Sequence, residues 1–193
     1  MFLESQINHP MQKGSIEVIC GSMFSGKTEE LLRRLKRAEF AKLKISVFKP
    51  QVDERYDIEK VVSHDKNTIQ SIPISNPKSI LNLADNAQVI AIDEAQFFGE
   101  ELISICTQLA NNGARVIIAG LDMDFLGTPF GIMPQLLAIA EHVTKVHAKC
   151  SETGEPALYS FRKVNNNETV MIGEKKEYKP LSRKAFISNG QQW

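Results

Sequence analysis

The feature that most constrains the fold of this chain is one octapeptide, Gly21-Ser22-Met23-Phe24-Ser25-Gly26-Lys27-Thr28. It fills every fixed position of the pattern G-x-x-x-x-G-K-[ST], in which a glycine-containing loop connects a strand to a helix. Residues 16–20 are interpreted as a short buried strand, and residues 28–40 have the periodicity of an amphipathic helix. The sequence therefore predicts a strand, a phosphate-binding loop (P-loop) and a helix in this order.

Each fixed residue of this loop has a physical role toward a phosphate chain. Gly21 and Gly26 stand where the backbone needs a positive φ or a close approach, so that successive N–H groups turn inward. Lys27 supplies a mobile positive charge, and the Thr28 hydroxyl is suited to bind Mg²⁺ at the positive end of the helix. A chance glycine turn is the alternative, but it would lack the flanking elements. A nucleoside triphosphate is the first ligand to consider.

Length and charge narrow the class of protein. A chain of 193 residues suits one domain with a small appendage, so a two-lobed motor ATPase is not expected. Lys plus Arg and Asp plus Glu number 23 each, which gives a formal net charge of zero. No excess of positive charge argues for nucleic acid or an anionic membrane as partner, so we expect a small ligand.

The cysteines and the lengths of the apolar runs indicate the cellular compartment in which the protein is expected. Cys20, Cys106 and Cys150 are an odd number of widely spaced cysteines, which predicts reduced thiols in a reducing compartment. The sequence has no run of 18 apolar residues, and residues 1–13 do not resemble a signal peptide. We therefore expect a cytoplasmic protein without a membrane segment.

Apolar runs of strand length alternate with amphipathic segments along the chain. Further strands are predicted at 44–49, 89–92, 115–120 and 143–147, and further helices at 77–85, 100–112 and 132–141. Unbroken apolar strands between helices predict an α/β fold of the P-loop NTPase (RecA-like) type, a parallel sheet with helices on both faces. In such a sheet a ligand binds beyond the carboxyl ends of the strands, where the loop lies.

The character of the sequence changes after about Ala148. Two β-like segments, 157–164 and 168–172, flank the turn Asn165-Asn166-Asn167 and predict a small hairpin-based subdomain that packs on the main domain. The predicted organisation is a leader at 1–14, a main domain at 15–147, a C-terminal subdomain at 148–187 and a tail at 188–193.

A second motif follows the predicted strand 89–92. Asp93 stands where a Walker B strand delivers a carboxylate to the Mg²⁺ that the P-loop threonine binds. Glu94 comes next, placed to orient or deprotonate the group that attacks the γ-phosphate, whether water or a substrate hydroxyl. The alternative is that both carboxylates merely end a strand and cap the next helix.

The tetrapeptide Asp93-Glu94-Ala95-Gln96 also resembles helicase motif II, so nucleic-acid-driven ATP hydrolysis is a further alternative. A helicase needs a second domain that closes over the nucleotide, and only residues 148–193 follow the last predicted core strand. The balanced charge opposes that alternative as well.

Five motifs together resemble the type II thymidine kinases over residues 14–186. They are Gly21 to Thr28, Lys49-Pro50 followed by Asp53-Glu54-Arg55-Tyr56, Ser63-His64-Asp65, Ile92 to Phe98, and Gly120-Leu121-Asp122 with Phe125 and Pro129-Phe130-Gly131. The resemblance implies phosphoryl transfer from ATP·Mg²⁺ to the 5′-hydroxyl of deoxythymidine, which gives dTMP for DNA precursor synthesis.

The resemblance also implies residue roles. Glu94 is expected to be the general base, Arg55 a mobile charge over the transferring phosphoryl group, and Asp53 the residue that orients it. Thr28 and Asp93 are expected to hold Mg²⁺. Nucleotide contacts are expected from Gly21, Ser22, Met23, Phe24, Ser25, Gly26, Lys27, Thr28, Asp93, Glu94, Ala95 and Gln96.

The nucleoside pocket that the resemblance implies is aromatic and apolar, as small-ligand sites usually are. Its expected side chains are Met23, Phe97, Leu121, Phe125, Phe130 and Tyr178. The C-terminal subdomain resembles the lasso loop of that family, whose backbone pairs with the base edge, here expected at Val170, Met171, Ile172 and Gly173. Without the resemblance, Phe97 and Phe125 would be interpreted as ordinary core.

The chain departs from the family at its structural zinc site. Many members fasten the lasso with two Cys-x-x-Cys pairs, but here Cys150 alone remains, with Thr153, Ser182 and Ala185 at the other three positions. No cysteine or histidine follows Cys150, and a structural zinc ion needs four N or S ligands. We expect no zinc, and a lasso held by packing through Leu158, Phe161, Leu181 and Phe186.

The predictions about assembly and regulation rest on the resemblance alone. It implies a homotetramer, dTTP as a feedback inhibitor and deoxyuridine as a second acceptor. Two alternatives remain: a P-loop ATPase in which Glu94 activates water, and a nucleotide-binding regulatory protein whose altered lasso no longer supports transfer.

Overall fold

The computed structural model describes residues 14–51, 60–62, 68–84, 86–163 and 177–190. Its strands are β1 Ser15–Cys20, β2 Ile45–Pro50, β3 Lys60–Val62, β4 Thr68–Gln70, β5 Ile72–Ile74, β6 Val89–Ile92, β7 Arg115–Gly120, β8 His142–Lys145, β9 Ala148–Lys149, β10 Pro156–Ala157, β11 Tyr159–Arg162 and β12 Tyr178–Leu181. Its α-helices are α1 Lys27–Phe40, α2 Ser79–Leu83, α3 Glu101–Asn111, α4 Met133–Ile139 and α5 Arg183–Ser188, and Ala95–Phe97 form one turn of 3₁₀ helix.

Six strands form a parallel sheet in the order β5-β2-β6-β7-β1-β8. In the register of β1 and β7, Cys20 pairs with Gly120, so the P-loop and the loop after β7 leave the sheet at the same level. The strands β1, β6 and β7 are almost entirely buried, as expected for a parallel sheet with helices on both faces, whereas the edge strand β8 is mostly exposed. The predicted α/β fold is confirmed.

Successive residues of β1 pack into two separate cores. Val18 and Cys20 belong to the larger core, to which α2, α3 and α4 contribute. Ile19 faces the other way and packs with Leu31 and Leu35 of α1 in the second core. Each fully buried leucine contributes about 1.5–3 kcal/mol relative to an exposed one, so α1 is held mainly by its apolar face.

A buried ion network anchors α1 on the sheet. Arg34 donates from Nη1 to Glu17 Oε2 of β1 at 2.6 Å and from Nη2 to Thr144 Oγ1 of β8 at 2.8 Å. Arg115 of β7 donates from Nε to Glu17 Oε1 at 2.6 Å. Burial raises the pKa of Glu17, but the hydrogen bonds and charges of Arg115 and Arg34 outweigh it and hold that pKa below the ordinary 4.5. The helix that begins at the P-loop is thus tied to three strands.

The C-terminal part forms a third, smaller core. Strands β9 and β10 pair antiparallel, β11 and β12 do the same, and Tyr159 stacks on Phe186 of α5 at 4.2 Å between ring centroids. Leu181 and Phe186 are buried in this core, and Leu158 and Phe161 pack against it. The four residues named from the sequence as the packing of the lasso do lie together.

The strand pairing differs from the sequence prediction. Strand β11 pairs with β12, which was not predicted, whereas the predicted partner at 168–172 lies outside the described residues. Because proline is disfavoured within strands, Pro180 argues against a strand at β12 when only propensities are considered. In the structure Pro180 pairs with Ser160, and Tyr178 and Leu181 provide the buried side chains of the strand. Smaller differences concern element ends: α2 is Ser79–Leu83 rather than 77–85, and β8 is His142–Lys145 rather than 143–147.

Within the described ranges, none of the helices has both the length and the apolar character needed to cross a membrane.

Candidate active site

The P-loop has the backbone geometry that its sequence predicts. Gly21 has a φ of 148°, and a Cβ atom there would lie 2.2 Å from the carbonyl oxygen of Val146. Gly26 adopts the left-handed conformation, with a φ of 87°, and is the N-cap of α1. No side chain fits at position 21 without moving the backbone, and one at position 26 would be strained, which explains both glycines.

The polar groups of the loop fit a phosphate chain. Lys27 is largely buried, and its Nζ donates to the carbonyl oxygen of Ser22 at 2.9 Å. The hydroxyl of Ser25 is buried and has no hydrogen-bond partner in the described part of the chain. A buried orphan hydroxyl, a lysine and the first turn of α1, which includes Thr28, converge here. This is the donor set that an anionic phosphate chain needs.

The two acidic residues leave β6 at the same edge of the sheet. Strand β7 lies between β6 and β1, so two strand spacings of about 4.8 Å separate the acidic pair from the P-loop. Asp93 is buried, and its Oδ1 accepts from the backbone N–H of Glu94 at 2.9 Å. Glu94 has a φ of 52° and a ψ of 41°, a left-handed conformation that costs a non-glycine residue about 1–2 kcal/mol. The strained residue is the predicted general base.

Gln96 connects this carboxylate to the neighbouring strand. Its Nε2 donates to Glu94 Oε2 at 2.5 Å, and its Oε1 accepts from the backbone N–H of Leu121 at 3.0 Å. Because the contact with Leu121 requires an acceptor, the amide nitrogen must face Glu94. A Cβ at Gly120 would lie 2.9 Å from Gln96 Oε1, and one at Gly131 would lie 2.7 Å from the Gln96 carbonyl oxygen. The two glycines leave room for this bridge.

The predicted apolar wall is only partly buried, unlike the core. Phe97 and Phe130 meet edge to face, with 5.9 Å between ring centroids, and both stay half-buried. Leu121 is half-buried beside Gln96, whereas Phe98 points into the main core. The structure therefore brings Phe97, Leu121 and Phe130 together next to the Glu94–Gln96 pair.

The remaining predicted wall residues contact strand β11. The backbone N–H of Met23 donates to Ser160 Oγ at 2.9 Å, and Phe24 packs against the third core. The ring of Phe125 lies 3.6 Å from Arg162 Cζ, and Tyr178 Oη accepts from Arg162 Nε at 3.1 Å and Nη2 at 2.9 Å.

Ser160 and Arg162 were missed by the sequence reasoning. The alternation Tyr159-Ser160-Phe161-Arg162 was the available signal, because Tyr159 and Phe161 belong to the third core and the two polar residues face the other way. Arg55, Asp53, Val170, Met171, Ile172 and Gly173 lie outside the described residues, and their roles stay predictions.

The four positions of the family zinc site lie close together. Thr153 donates its N–H to Cys150 Sγ at 3.5 Å, its Oγ1 lies 3.3 Å from Ser182 Oγ, and the N–H of Ala185 donates to Ser182 Oγ at 3.5 Å. Burial raises the pKa of the Cys150 thiol, but hydrogen bonds, the Thr153 side chain first, outweigh it and lower the pKa to about 6. Among the described residues, no group of three or more His, Cys, Asp or Glu side chains is arranged to hold a metal ion. The absence of zinc stays a prediction.

Three similar proteins are each named thymidine kinase. The one from Bacteroides thetaiotaomicron is 56% identical over 187 residues, which covers 97% of this chain and 94% of that protein. The one from Porphyromonas gingivalis is 57% identical over 188 residues, covering 96% and 92%, and the one from Bacteroides fragilis is 55% identical over 186 residues, covering 96% and 94%. The family model described as thymidine kinase matches residues 14–186. Similarity at this level across nearly the whole length means that the chain belongs to the thymidine kinase family, as the motifs predicted.

Proposed function

We propose that the chain is a thymidine kinase that transfers the γ-phosphoryl group of ATP to the 5′-hydroxyl of deoxythymidine. The observation that carries this proposal is the hydrogen bond from Gln96 to the carboxylate of Glu94, which follows β6 at the same edge of the sheet as the P-loop. The half-buried rings of Phe97 and Phe130 contact each other in the same part of the chain. A carboxylate in that position serves an acceptor hydroxyl on one side and a phosphate chain on the other. Membership of the family is the independent support.

We propose the following reaction. Glu94 takes the proton of the 5′-hydroxyl as the hydroxyl oxygen attacks the γ-phosphorus, and the bond from that phosphorus to the bridging β-phosphate oxygen breaks. The products are dTMP and ADP, and the proton is left on the Glu94 carboxylate. Lys27 and backbone N–H groups of the P-loop would neutralise the phosphate charge, and Arg55 is proposed to add a further positive charge.

The residues present also fit Mg²⁺. The ion prefers oxygen ligands and usually keeps one or two protein carboxylates together with substrate phosphates. The hydroxyl of Thr28 and the buried carboxylate of Asp93 would hold it. When bound, it neutralises charge on the β- and γ-phosphates.

Nucleoside binding is assigned to the half-buried wall. Phe97, Leu121 and Phe130 would contact one side of the nucleoside and Met23, Phe125 and Tyr178 the other, with base-edge pairing by the backbone of 170–173. An apolar enclosure of this kind excludes water, which would otherwise accept the phosphoryl group.

The family relation supports further proposals about the whole molecule. We propose the organisation that the sequence predicts, with a leader at 1–14, a kinase domain at 15–147, a lasso subdomain at 148–187 and a tail at 188–193. We place the enzyme in the cytoplasm as a homotetramer with dTTP as feedback inhibitor. Light scattering on a sizing column and inhibition by added dTTP test the last two.

One assay tests the activity. ATP consumption is followed with and without deoxythymidine, and the nucleotide product is identified by mass spectrometry. We expect ATP consumption to depend on deoxythymidine and to match dTMP formation mole for mole. Hydrolysis that is indifferent to the nucleoside would instead identify an ATPase, and binding without turnover would identify a regulatory protein.

A further inference from the structure

Arg162 is a buried cation whose contacts lie among the proposed nucleoside-binding residues. It is 6% exposed, although arginine is almost never fully buried unless it is paired. Its guanidinium carbon lies 3.6 Å from the centroid of the Phe125 ring, and Nε and Nη2 both donate to Tyr178 Oη. These contacts connect the guanidinium group to two aromatic side chains.

The planar guanidinium group constrains both rings. Arg162 and Tyr178 are directly paired across strands β11 and β12, so two donors from one rigid fork meet a single phenol oxygen. This contact fixes the position of the Tyr178 ring. The guanidinium group also covers one face of Phe125, so a nucleoside can meet only the other face or the edge of that ring.

The face of β11 that carries Arg162 belongs to the active site. Ser160, two residues earlier on the same face, accepts the backbone N–H of Met23 from the P-loop. Tyr159 and Phe161 point to the opposite face, into the third core. Arg162 therefore lies on the side of β11 that borders the reaction site.

We infer that Arg162 is a positioning residue for the nucleoside: it holds Tyr178 and Phe125 in the orientation that binds deoxythymidine. This inference rests on the proposed function. A lysine would not replace it, because an ammonium group is a point charge that can neither present the fork nor stack on the ring.

The test compares the steady-state constants and melting temperatures of Arg162→Met, Arg162→Lys, Tyr178→Phe and the double variant Arg162→Met/Tyr178→Phe with those of the wild type. We expect each single variant to raise KM for deoxythymidine about tenfold, or about 1.4 kcal/mol of binding free energy, with KM for ATP changed less than about twofold. The double variant should be no worse than Arg162→Met, because Tyr178→Phe removes only the hydrogen-bond acceptor that Arg162→Met already leaves without its guanidinium donor.

Arg183→Met is the matched control. Arg183 also lies over an aromatic ring of the subdomain, 5.4 Å from the Tyr159 centroid, but it is exposed and on α5. Its KM for deoxythymidine should equal that of the wild type.

An unchanged KM for deoxythymidine in Arg162→Met overturns the inference, as does an equal rise in both KM values with a lower melting temperature. If Arg162→Met does not fold, the inference is tested by Arg162→Lys and Tyr178→Phe. A KM for deoxythymidine in Tyr178→Phe equal to that of the wild type then overturns the inference. A wild type that does not phosphorylate deoxythymidine overturns the proposed function and the inference together; an active wild type with unaffected variants overturns the inference alone.

Discussion

The phosphate side and the nucleoside side of the proposed active site are built in different ways. The P-loop and the acidic pair leave the ends of central strands in a six-stranded sheet that is covered on both faces. The part of the proposed nucleoside side around Phe125 and Tyr178 depends on two-stranded ladders and one short helix around a small core, whereas Phe97, Leu121 and Phe130 follow strands β6 and β7 of the main sheet. On the first side backbone geometry places the functional groups; on the second, single side chains such as Arg162 do.

This difference predicts which changes each side tolerates. A backbone-defined phosphate site depends on the large cores and on a few glycines, so damage there should affect either chemistry or global stability. A site defined by side chains should lose affinity for its ligand in modest steps while the fold persists. The following experiments test that contrast.

The largest effect is expected from Glu94→Gln. Loss of a positioned general base typically lowers the rate about 10²–10⁴-fold, and ATP binding should persist because the P-loop is intact. Steady-state kinetics and ATP titration measure the two quantities, with Glu101→Gln, an exposed glutamate at the start of α3, as the control. Full activity in Glu94→Gln would refute the assignment of the base.

Glu17→Gln should destabilise the whole protein without a direct effect on chemistry. Removing one partner of a buried ion pair costs about 3–5 kcal/mol, because Arg34 and Arg115 keep buried charges without their carboxylate. Denaturant unfolding measures this, and Glu39→Gln on the exposed face of α1 is the control.

The same variant carries a pH signature. The folded-state pKa of Glu17 is lowered, so its contribution to stability is fully present above 4.5 and is lost as the pH falls through that lowered value. The variant should therefore lose less stability than the wild type on acidification below pH 4.5. If the stability of the variant and that of the wild type fell equally with decreasing pH, the assignment of this pH dependence to Glu17 would be wrong.

Gln96→Met should lower kcat about 10- to 100-fold, because a base displaced by about 1 Å can cost that much. The methionine keeps the length of the side chain but cannot donate to Glu94 or accept from Leu121. KM for ATP should stay within about twofold if Gln96 acts through Glu94 rather than on the nucleotide. Gln108→Met on the exposed face of α3 is the control. A rise in KM for ATP with unchanged kcat would instead support the predicted nucleotide contact.

The smallest effect is expected from Thr153→Val, in the group that stands at the family zinc positions. The loss of the hydroxyl contact with Ser182 should cost about 1 kcal/mol of unfolding free energy, and exposed Thr107→Val is the control. Elemental analysis of protein purified without chelator should find far less than one zinc per chain, and near-stoichiometric zinc would refute the prediction.

Cys150 in the same group should add a pH dependence of stability. Its pKa is lowered from 9.0 to about 6, so the stabilising thiolate is fully favoured above 9.0 and is lost as the pH falls through about 6. Cys150→Ser should remove the change in melting temperature across that interval. An unchanged profile would mean that the thiol does not titrate there.

The strand, loop and helix around the P-loop could be predicted because the signals for them are local. An apolar strand, a glycine-containing loop and an amphipathic helix can each be recognised from a few consecutive residues, and Asp93 and Glu94 directly follow a strand. The parallel sheet followed from unbroken apolar runs, since only a sheet covered on both faces needs them.

The side-chain contacts of the site could not be predicted in the same way. The bridge from Gln96 to Leu121 depends on how closely β6 and β7 approach, and on glycine at 120 and 131. Arg162 meets Tyr178 because β11 pairs with β12, and the proline at position 180 made β12 difficult to predict as a strand. These contacts are long-range, so no local pattern encodes them.

The hydrogen bond from Met23 to Ser160 has a consequence for local unfolding. The P-loop is connected to β1 and α1 by the chain itself, but it is also bound to β11, and Phe24 packs against the third core. If the C-terminal subdomain opens while the main sheet stays folded, the loop loses an acceptor and an apolar contact at once. A protease that cuts only beyond residue 148 would then impair a phosphate site that lies more than a hundred residues away in the sequence.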